Sequence, residues 1–517
     1  MVKNLAERNS NIIYWASGIV SICGIIFEVL FGALGSYILG DGVKQYTLII
    51  SLFLTGMGIG ASLSEKVMKH LIIAFVYVEF GVAVIGGFSS FTMFGITAFA
   101  PEGTDAFYLY LITLVIGALT GFELPILIRK ANEIGVTLNK STARVLFSDY
   151  AGGLIGGLLF VFLLRPQFGM VKSAFLVGCI NVTVALVVLW LFRKEIKYFS
   201  VHVIVGTGIA LLLVIGLFFG EELAFTFEQK LYKDPILHIE ESSYQKIILT
   251  RDEEDVRLYL DGSLQLSSTD EHRYHEVLVH PAMSSVPEPK NVLILGGGDG
   301  VAAKEVLKYD TVENVTLVDL DPAVIDLANT NKYLLELNDG SLKNKKVHVK
   351  NKDAFQFLEK TESFYDVILV DLPDPNNESL NKLYTKEFYS LVRNHLSPEG
   401  TMMVQATSPV FATEVYWTIS ETISSTGLNT ENLHIDVPSF GNWGFVMASR
   451  KEIDLGELKI NVPTRYLKPE LIPSLAVFGK DEDGKIEGKN GKYLTLKPNT
   501  LIDPHLIQIY EKAWKNY

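Results

Sequence analysis

Long apolar stretches dominate the first 220 residues of the chain. Seven of them reach the roughly 20 apolar residues that a membrane-crossing helix needs. They occupy approximately 12–39, 46–64, 71–94, 107–128, 146–164, 173–192 and 201–219. The first is not a signal peptide, because its apolar part is too long and no small-residue cleavage site follows. The pattern therefore predicts an N-terminal α-helical transmembrane bundle of about seven helices over 1–220.

From about residue 236 the apolar positions shorten into alternating runs that are typical of strands. Two runs, ILHIEESSYQKIILT and VRLYLDGSLQL, predict antiparallel strands with turns near 251–255 and at 261–262. Five further strands then alternate with helices, and this order predicts a mostly parallel sheet with right-handed crossovers. The strand sequences are NVLIL, NVTLVDLD, KVHVKN, DVILV and TMMVQA, and the helices are 271–283, 301–308, 322–331, 354–360, 386–395 and 413–424.

These patterns predict four parts of the chain. A polytopic transmembrane domain covers 1–220, and a linker covers 221–235. A small antiparallel β domain follows at 236–270. The last part, 271–517, is expected to be an α/β Rossmann-like domain of the methyltransferase type.

Charge divides the chain in the same way. Hydrophobic residues make up 49% of the 517 and charged residues 20%, and the mean hydropathy of +0.27 is high for a soluble protein. The net charge is +3 over 1–220 and −16 over 221–517. The acidic part argues against nucleic acid as a partner and suits a small cationic substrate, although the charge by itself favours the simpler explanation of a solvated acidic surface. Cys23 and Cys179 lie in apolar stretches and offer neither a disulfide framework nor a metal spacing.

The first strand of the alternating part ends in a turn made almost entirely of glycine. In NVLILGGGDGVAAKEVL, residues such as Gly296 and Gly298 allow a tight turn and a close backbone approach to a ligand. Asp319 closes the next strand about 20 residues later, where a carboxylate accepts from ribose hydroxyls. Asp353 follows the third strand and is placed for an adenine amino group. The pattern predicts an adenosine-containing ligand.

Three further carboxylates indicate that this ligand is cationic. Asp299, inside the turn, would repel a pyrophosphate and suit a positively charged tail, although an aspartate there is also a favoured helix N-cap. The fourth strand ends in DVILVDLPDP, with Asp371 and Asp374 three residues apart. Such a pair can accept a proton from an amine and hold its charge. An isolated DLPDP segment could equally be a turn, because Asp and Pro both favour turns. The position at the carboxyl end of a strand favours the functional interpretation.

Several motifs resemble, in the same order across 243–517, those of the spermidine synthases and related polyamine aminopropyltransferases. They are YLDGSLQLSSTDEHRYHEVLVHPAM, NVLILGGGDGVAAKEVL, VTLVDLDPAVIDLA, KDAFQFL, DVILVDLPDP, LYTKEFY, VQATSP and RYLKPELIPSLAVF. The N-terminal part, with GFELP and SDYAGGLIGG, resembles the membrane-bound variant in which a multi-helix domain precedes the synthase domain. The departures include Phe440, where soluble members often carry a tyrosine, and Asn376-Asn377, where glycine and proline usually stand.

The resemblance implies an aminopropyltransferase that uses decarboxylated S-adenosylmethionine as co-substrate and a small amine such as putrescine as acceptor. It implies no permanently bound cofactor, no metal, and a homodimer through the synthase domain. By position, Asp371 is the expected general base, with Tyr274 beside it. The co-substrate is expected to contact the glycine turn and a set of polar residues: Gln245, Asp299, Gly296, Gly298, Asp319 and Asp353. The acceptor side is expected to include Gln265, His275, Asp374 and Gln405.

Two other functions stay open at this point. One is an S-adenosylmethionine-dependent methyltransferase of the same fold, against which the carboxylates Asp299, Asp371 and Asp374 count. The other is a polyamine or nucleoside sensor or transporter with a synthase-like domain. Its main support is a set of acidic residues in or beside the apolar stretches, namely Glu28, Glu79, Glu123 and Asp149.

Orientation in the membrane gives two conflicting expectations. The loops around 66–69, 129–144 and 193–197 are basic, and the loop at 102–105 is not, so the positive-inside rule places the N-terminus in the cytoplasm. Seven spans would then put the C-terminal part outside. A co-substrate made in the cytosol requires the opposite, and we expect a multi-pass protein of the cell membrane with a cytoplasmic catalytic domain.

Overall fold

The computed structural model describes residues 2–40, 42–101, 103–134, 137–242, 244–486 and 493–514. It divides into two compact units, 1–233 and 234–517. The last long helix of the first unit continues to Glu228, into the segment expected to be a linker. The finer domain limits at 220, 235 and 270 remain predictions.

The described part of the first unit is α-helical. Its helices are α1 (Val2–Leu39), α2 (Gly42–Ser64), α3 (Leu71–Phe99), α4 (Thr104–Glu133), α5 (Leu138–Leu159), α6 (Arg165–Leu191) and α7 (Phe199–Glu228). A π-helical turn, Phe160–Leu164, joins α5 to α6, and short 3-10 turns follow α6 and α7 at Arg193–Glu195 and Gln229–Leu231.

Six helical runs of the described residues, not seven, are long and apolar enough to cross a membrane. The expectation of seven is corrected because the predicted spans 146–164 and 173–192 belong to one run, Asn139–Leu191, of 53 residues. The helical backbone continues through the π-helical turn at the end of the first of these spans. Inside this run Gly169 leaves the helical conformation, with φ 63° and ψ −172°.

Small residues let the helices of the first unit approach each other closely. A Cβ atom at Gly152 would lie 2.3 Å from the backbone oxygen of Gly18, and one at Gly156 would lie 2.5 Å from that of Ile22. The GGLIGG segment therefore packs α5 against α1 backbone to backbone. Of the acidic residues singled out from the sequence, Glu28, Glu79, Glu123 and Asp149, the second and third are buried.

The second unit begins with a small antiparallel sheet. Its strands are β1 (Ile236–Glu241), β2 (Lys246–Asp252), β3 (Asp255–Leu260) and β4 (Ser263–Ser267), in sequential order. The turn at Asp261-Gly262 has positive φ at both residues, as a two-residue hairpin turn requires. Buried residues of this sheet, such as Leu249 and Leu258, pack with Val301 and Val324 of the larger domain.

A seven-stranded sheet forms the centre of the second unit. Its strands are β5 (Asn291–Gly296), β6 (Asn314–Asp319), β7 (Val347–Asn351), β8 (Tyr365–Asp371), β9 (Leu396–Gln405), β10 (Asn429–Val437) and β11 (Gly441–Ser449). The spatial order is β10-β11-β9-β8-β5-β6-β7, and the five strands from β9 to β7 are parallel. This is a Rossmann-like, methyltransferase-type sheet, as expected. The antiparallel pair β10 and β11 was not predicted.

Nine helices accompany the sheet in the described part of the second unit, and six of them lie where the sequence predicted a helix. They are α8 (Glu271–Ser284), α9 (Val301–Val306), α10 (Pro322–Thr330), α11 (Lys332–Asn338), α12 (Ala354–Lys360), α13 (Glu378–Asn381), α14 (Lys386–His395), α15 (Thr413–Ser424) and α16 (Leu506–Trp514). Of these, α11, α13 and α16 were not predicted.

The register of the sheet brings the candidate site residues to one edge. Gly296 at the end of β5 pairs with Asp371 at the end of β8, and Asp319 at the end of β6 pairs with Asn351 of β7. The strand order reverses between β5 and β8, and ligands of such sheets bind at this switch point, outside the carboxyl ends.

Candidate active site

The glycine turn closes directly over the end of β8. Gly296 has a φ of 85°, and a Cβ atom there would lie 1.9 Å from the backbone oxygen of Asp371. Gly297 donates its N–H to that same oxygen at 3.2 Å. Because no side chain fits between the two strand ends, only glycine allows this turn.

The turn also holds the carboxylate of Asp319. The Gly298 N–H donates to Asp319 Oδ2 at 3.1 Å, and the Asp321 N–H donates to Oδ1 at 2.9 Å. Burial raises the pKa of Asp319 to about 6; the charges of Asp321 and Asp299 add to this effect, and the two backbone hydrogen bonds oppose it. Asp319 is therefore fixed beside the glycine turn.

Asp299 lies in the turn immediately before α9. Its Oδ1 accepts from the Val301 N–H at 2.8 Å, a bond to the first residue of the helix, whereas the N-cap position itself is Gly300. Its negative charge also contributes to raising the pKa of Asp319, Asp371 and His275, which requires the carboxylate to lie near all three. A carboxylate accepts more hydrogen bonds than this one N–H supplies, so a ligand role is compatible with this bond.

Asp353 caps α12 and forms an ion pair. Its Oδ1 accepts from the Gln356 N–H at 3.0 Å, and Lys382 Nζ lies 2.5 Å from Oδ2. Burial by itself raises the pKa of Asp353, but the hydrogen bond and the charge of Lys382 outweigh it and leave the pKa below its ordinary value. Asp353 therefore stays ionised.

The two glutamines predicted from the N-terminal side of the domain differ in their surroundings. Gln245 Nε2 donates to Asp321 Oδ2 at 3.0 Å, so Gln245 is connected to Asp319 by way of Asp321. Gln265 Nε2 donates only to the Ser263 backbone oxygen, at 3.3 Å, within the described residues. Among the residues that the structure describes, no hydrogen bond joins Gln265 to the other predicted site residues.

The two predicted catalytic residues, Tyr274 and Asp371, are in direct contact. The Tyr274 hydroxyl donates to Asp371 Oδ1 at 2.7 Å. Burial raises the pKa of Asp371 to about 6; the charge of His275 and the Tyr274 hydrogen bond lower it, and the charge of Asp299 raises it. At neutral pH the carboxylate is therefore ionised and close to the pKa range useful for a general base.

His275 is a buried cation next to these acids. Its Nδ1 lies 2.9 Å from the Glu271 backbone oxygen and 3.1 Å from Glu271 Oε2. Burial lowers the pKa of His275, but the hydrogen bond and charge of Glu271, together with the charges of Asp299 and Asp371, raise it to about 9. The protonated imidazole thus keeps Asp371 ionised.

Asp374 and Gln405 share one polar network. Gln405 Nε2 donates to Asp374 Oδ1 at 3.2 Å, and Thr407 Oγ1 and the Tyr510 hydroxyl donate to Oδ2 at 2.8 Å and 3.0 Å. Burial raises the pKa of Asp374, and these three hydrogen bonds oppose that effect. All three donors are neutral groups.

Aromatic rings connect the two carboxylate sites. The ring centroids of Tyr274 and Phe440 are 6.2 Å apart, and those of Phe440 and Trp443 are 5.4 Å apart. Trp443 Nε1 donates to Gln405 Oε1 at 3.2 Å. Phe440, at a position of departure from the family pattern, therefore belongs to an aromatic wall between Asp371 and the Gln405 network.

Comparison with known proteins gives one consistent family. Residues 271–457 match the family model described as Spermine/spermidine synthase domain. A polyamine aminopropyltransferase of Oceanobacillus iheyensis is 78% identical over 517 residues, which is 100% of both chains. A polyamine aminopropyltransferase of Leptospira interrogans is 38% identical over 96% of this chain and 97% of that one. This chain belongs to the polyamine aminopropyltransferase family. It is an enzyme, and the relatives match its helical first unit as well as its synthase domain.

A solved structure of a spermidine synthase in complex with the transition-state analogue AdoDATO is also similar. Its sequence identity is 27%, the TM-score is 0.45, and the match covers 49% of this chain and 89% of that one.

Several residues of the candidate site were not predicted from the sequence. Glu271 had a readable signal, because it precedes His275 by four residues on a predicted helix. Asp321 and Thr407 lie within two residues of predicted positions, at Asp319 and Gln405. Tyr510 carried no signal, since nothing in the local sequence around it indicates a partner 136 residues away.

Proposed function

We propose that this enzyme transfers the aminopropyl group of decarboxylated S-adenosylmethionine to the nitrogen of a small amine such as putrescine. The amine nitrogen forms a bond to the carbon next to the sulfonium, and the bond between that carbon and sulfur breaks. Methylthioadenosine leaves as a neutral thioether, and the proton lost by the nitrogen passes to a carboxylate. The sulfonium supplies the activation, so the enzyme has to align the amine and keep it deprotonated. Alignment alone contributes roughly 7–11 kcal/mol in favourable cases.

The observation that carries the proposal is the half-buried, hydrogen-bonded Tyr274–Asp371 pair beside the glycine turn. Asp371 is the base that receives the proton, and Tyr274, at 2.7 Å from it, holds the carboxylate in one orientation. His275 supports the ionised state of Asp371 through its positive charge. Asp371 is thus placed by its position at the end of β8 and by the tyrosine hydroxyl, and the positive charge of His275 favours its ionised form.

The co-substrate would bind along the carboxyl ends of β5, β6 and β7. Asp299 would hold the ammonium of the aminopropyl tail, and Asp319 would accept from the ribose hydroxyls. Asp353 would face the adenine, with Gln245 beside the ribose carboxylate and the turn glycines at Gly296 and Gly298 in backbone contact. The carboxylates match a ligand with a sulfonium and an ammonium, whereas they disfavour one with a pyrophosphate.

The acceptor amine would lie between Asp371 and Asp374. Asp374 and Gln405 would bind its far end, and the Tyr274–Phe440–Trp443 wall would contact its methylene groups. His275 and Gln265 are the remaining candidates from the sequence, and Gln265 has the weakest structural support because its hydrogen bond is local.

The direct test is product analysis with the purified full chain. The protein is incubated with decarboxylated S-adenosylmethionine and, separately, putrescine, spermidine or agmatine. Release of methylthioadenosine together with an acceptor heavier by one aminopropyl group supports the proposal and identifies the acceptor. Nucleoside binding with no transfer to any amine contradicts it and favours a sensor or transporter. In a parallel incubation with S-adenosylmethionine itself, methyl transfer would contradict it in favour of a methyltransferase.

We further propose that the first unit lies in the cell membrane and that the catalytic unit faces the cytosol and forms a homodimer. The six apolar helical runs support the membrane location. With six crossings, the cytoplasmic N-terminus that the basic loops around 66–69 and 129–144 favour also places the catalytic unit in the cytosol, where its co-substrate is made; the basic loop at 193–197 is the exception. Cysteines introduced at Ser268 and at Thr104 can be labelled from each side of the membrane with an impermeant reagent. Labelling of Ser268→Cys only after the cytosolic side is opened is the expected result.

A further inference from the structure

One of the three donors to Asp374 comes from the far end of the chain. The Tyr510 hydroxyl, on α16, donates to Asp374 Oδ2 at 3.0 Å, across 136 residues of sequence. Burial and the charge of Asp374 raise the pKa of Tyr510, so its hydroxyl stays protonated and remains a donor. The other two donors, Gln405 and Thr407, lie close together at the end of β9.

The segment before α16 is anchored to the same loop that carries Asp374. Asn499 is completely buried, and its Nδ2 donates to Asn381 Oδ1 at 3.1 Å and to the Tyr384 backbone oxygen at 3.0 Å. The Tyr384 hydroxyl in turn donates to the backbone oxygens of Leu372 and Pro373 at 3.1 Å and 3.0 Å. The position of α16 is therefore tied to the Asp371–Asp374 loop through hydrogen bonds at both ends of Tyr384.

Apolar contacts fix α16 itself. Leu506 is completely buried, and the Trp514 ring lies 5.9 Å from that of Phe411, a residue just after β9. Tyr510 and Trp514 are one turn apart on the helix, with ring centroids 6.0 Å apart. Packing of α16 thus holds Tyr510 against the acceptor side of the site and fixes the position of its hydroxyl.

The three donors leave Asp374 with charge and acceptor capacity for a ligand. A carboxylate has about four lone-pair positions, and three neutral donors occupy three of them. Its partners among the described residues carry no positive charge, so its negative charge is not neutralised by them. A half-buried carboxylate of this kind matches an ammonium group.

We propose that Tyr510 is a positioning residue for acceptor specificity: it orients Asp374 so that the free acceptor position receives the far ammonium of a diamine or polyamine. The inference rests on the proposed aminopropyl transfer and extends it to the C-terminal helix. Tyr510 touches Asp374 and acts through it, so its effect is expected in the recognition of the second charge of the acceptor and not in the chemical step.

The test compares Tyr510→Phe with the full-length parent on two acceptors of equal length. Putrescine carries a second ammonium, and n-butylamine does not. Tyr510→Phe is expected to raise KM for putrescine about tenfold, as loss of a hydrogen bond to a charged group predicts, with little change in kcat or in KM for n-butylamine. KM for decarboxylated S-adenosylmethionine is expected to stay constant. Tyr493→Phe, an exposed tyrosine of the same C-terminal region, is the matched control.

A double-mutant cycle separates this role from a general structural one. In an Asp374→Asn background, Tyr510→Phe is expected to have no further effect on the KM ratio of the two amines. An undiminished effect in that background, or equal losses for putrescine, n-butylamine and the co-substrate, would overturn the proposal. So would a Tyr510→Phe protein with parental kinetics.

A binding measurement keeps the inference testable if no transfer occurs. Putrescine is expected to raise the thermal unfolding midpoint of the full chain, and Tyr510→Phe is expected to weaken that shift. The shift caused by n-butylamine is expected to be the same in the parent and in Tyr510→Phe. A putrescine shift that is unchanged in Tyr510→Phe refutes the role of Tyr510, whatever the outcome of the transfer assay. Absence of transfer with an altered shift refutes the proposed reaction and leaves the binding role supported.

Discussion

At the scale of single residues, the pKa of Asp371 depends on the Tyr274 hydroxyl. Asp371 acts as a base only when it is ionised, so kcat is expected to fall as the pH drops below its pKa of about 6. The Tyr274 hydrogen bond stabilises the ionised form and lowers that pKa. Tyr274→Phe is therefore expected to move the acid limb of the kcat–pH profile upward, by about one unit for a loss of about 1.4 kcal/mol.

The matched control is Tyr244→Phe, because Tyr244 is exposed and lies outside the Asp371 surroundings. Its acid limb should coincide with that of the parent. An acid limb that stays in place or moves to lower pH in Tyr274→Phe would show that the hydroxyl does not stabilise the ionised carboxylate.

Site residues that end an apolar strand could be predicted from the sequence, but the residues that donate hydrogen bonds to them could not. Asp319 and Asp371 end apolar strands, so the rule that ligands bind at the carboxyl ends pointed to them. Which donors satisfy a buried carboxylate depends on long-range packing, and Thr407 and Tyr510 reach Asp374 from 33 and 136 residues away. Gln265 shows the converse: a family position identified it, and its observed hydrogen bond is local.

At the scale of elements, the site depends on the close approach of the turn between β5 and α9 to the end of β8. Gly296→Ala adds a Cβ atom that would lie 1.9 Å from the Asp371 backbone oxygen, at a residue whose φ is already 85°. We expect a loss of about 1–3 kcal/mol of stability from the overlap and weaker methylthioadenosine binding, measured by thermal unfolding and calorimetry.

Gly427→Ala is the control for this substitution. Gly427 has a similar φ of 87°, but a Cβ atom there meets nothing within 4 Å. Both substitutions carry the cost of a left-handed backbone, so the difference between them isolates the steric overlap. Equal destabilisation and equal nucleoside affinity in the two variants would contradict the importance of the close approach at 296.

Elements with strong apolar alternation were predicted well, and elements specified by tertiary contacts were not. The five parallel strands are short, β-branched and bounded by turn residues, so their pattern was sufficient. The sequence of β10 and β11 contains polar residues, a proline and glycines around 438–444, and its extended form depends on pairing with β9. The merging of two predicted spans into Asn139–Leu191 likewise depends on the backbone at 160–169, which hydropathy does not report.

At the scale of the whole molecule, the two units differ in the surface they present. The first exposes many large apolar side chains, such as Phe162, Ile204 and Phe218, at 75%, 70% and 69%. The chain from 221 onward carries a net charge of −16. If the first unit is embedded in lipid, the full chain should stay in the membrane fraction after washes with high salt or alkaline carbonate. Detergent should release it; release by salt alone would indicate attachment through charge and contradict embedding.

The most direct test of the central claim is turnover by Asp371→Asn in the full chain. The claim is that Asp371 receives the proton of the acceptor amine while the nucleoside is held by other residues. Removing a general base typically lowers the rate by roughly 10²–10⁴-fold, and Asp310→Asn, at an exposed position outside the site, is the control. We expect such a loss of aminopropyl transfer with methylthioadenosine affinity essentially unchanged. Near-normal transfer by Asp371→Asn, or loss of nucleoside binding as the main defect, would contradict it.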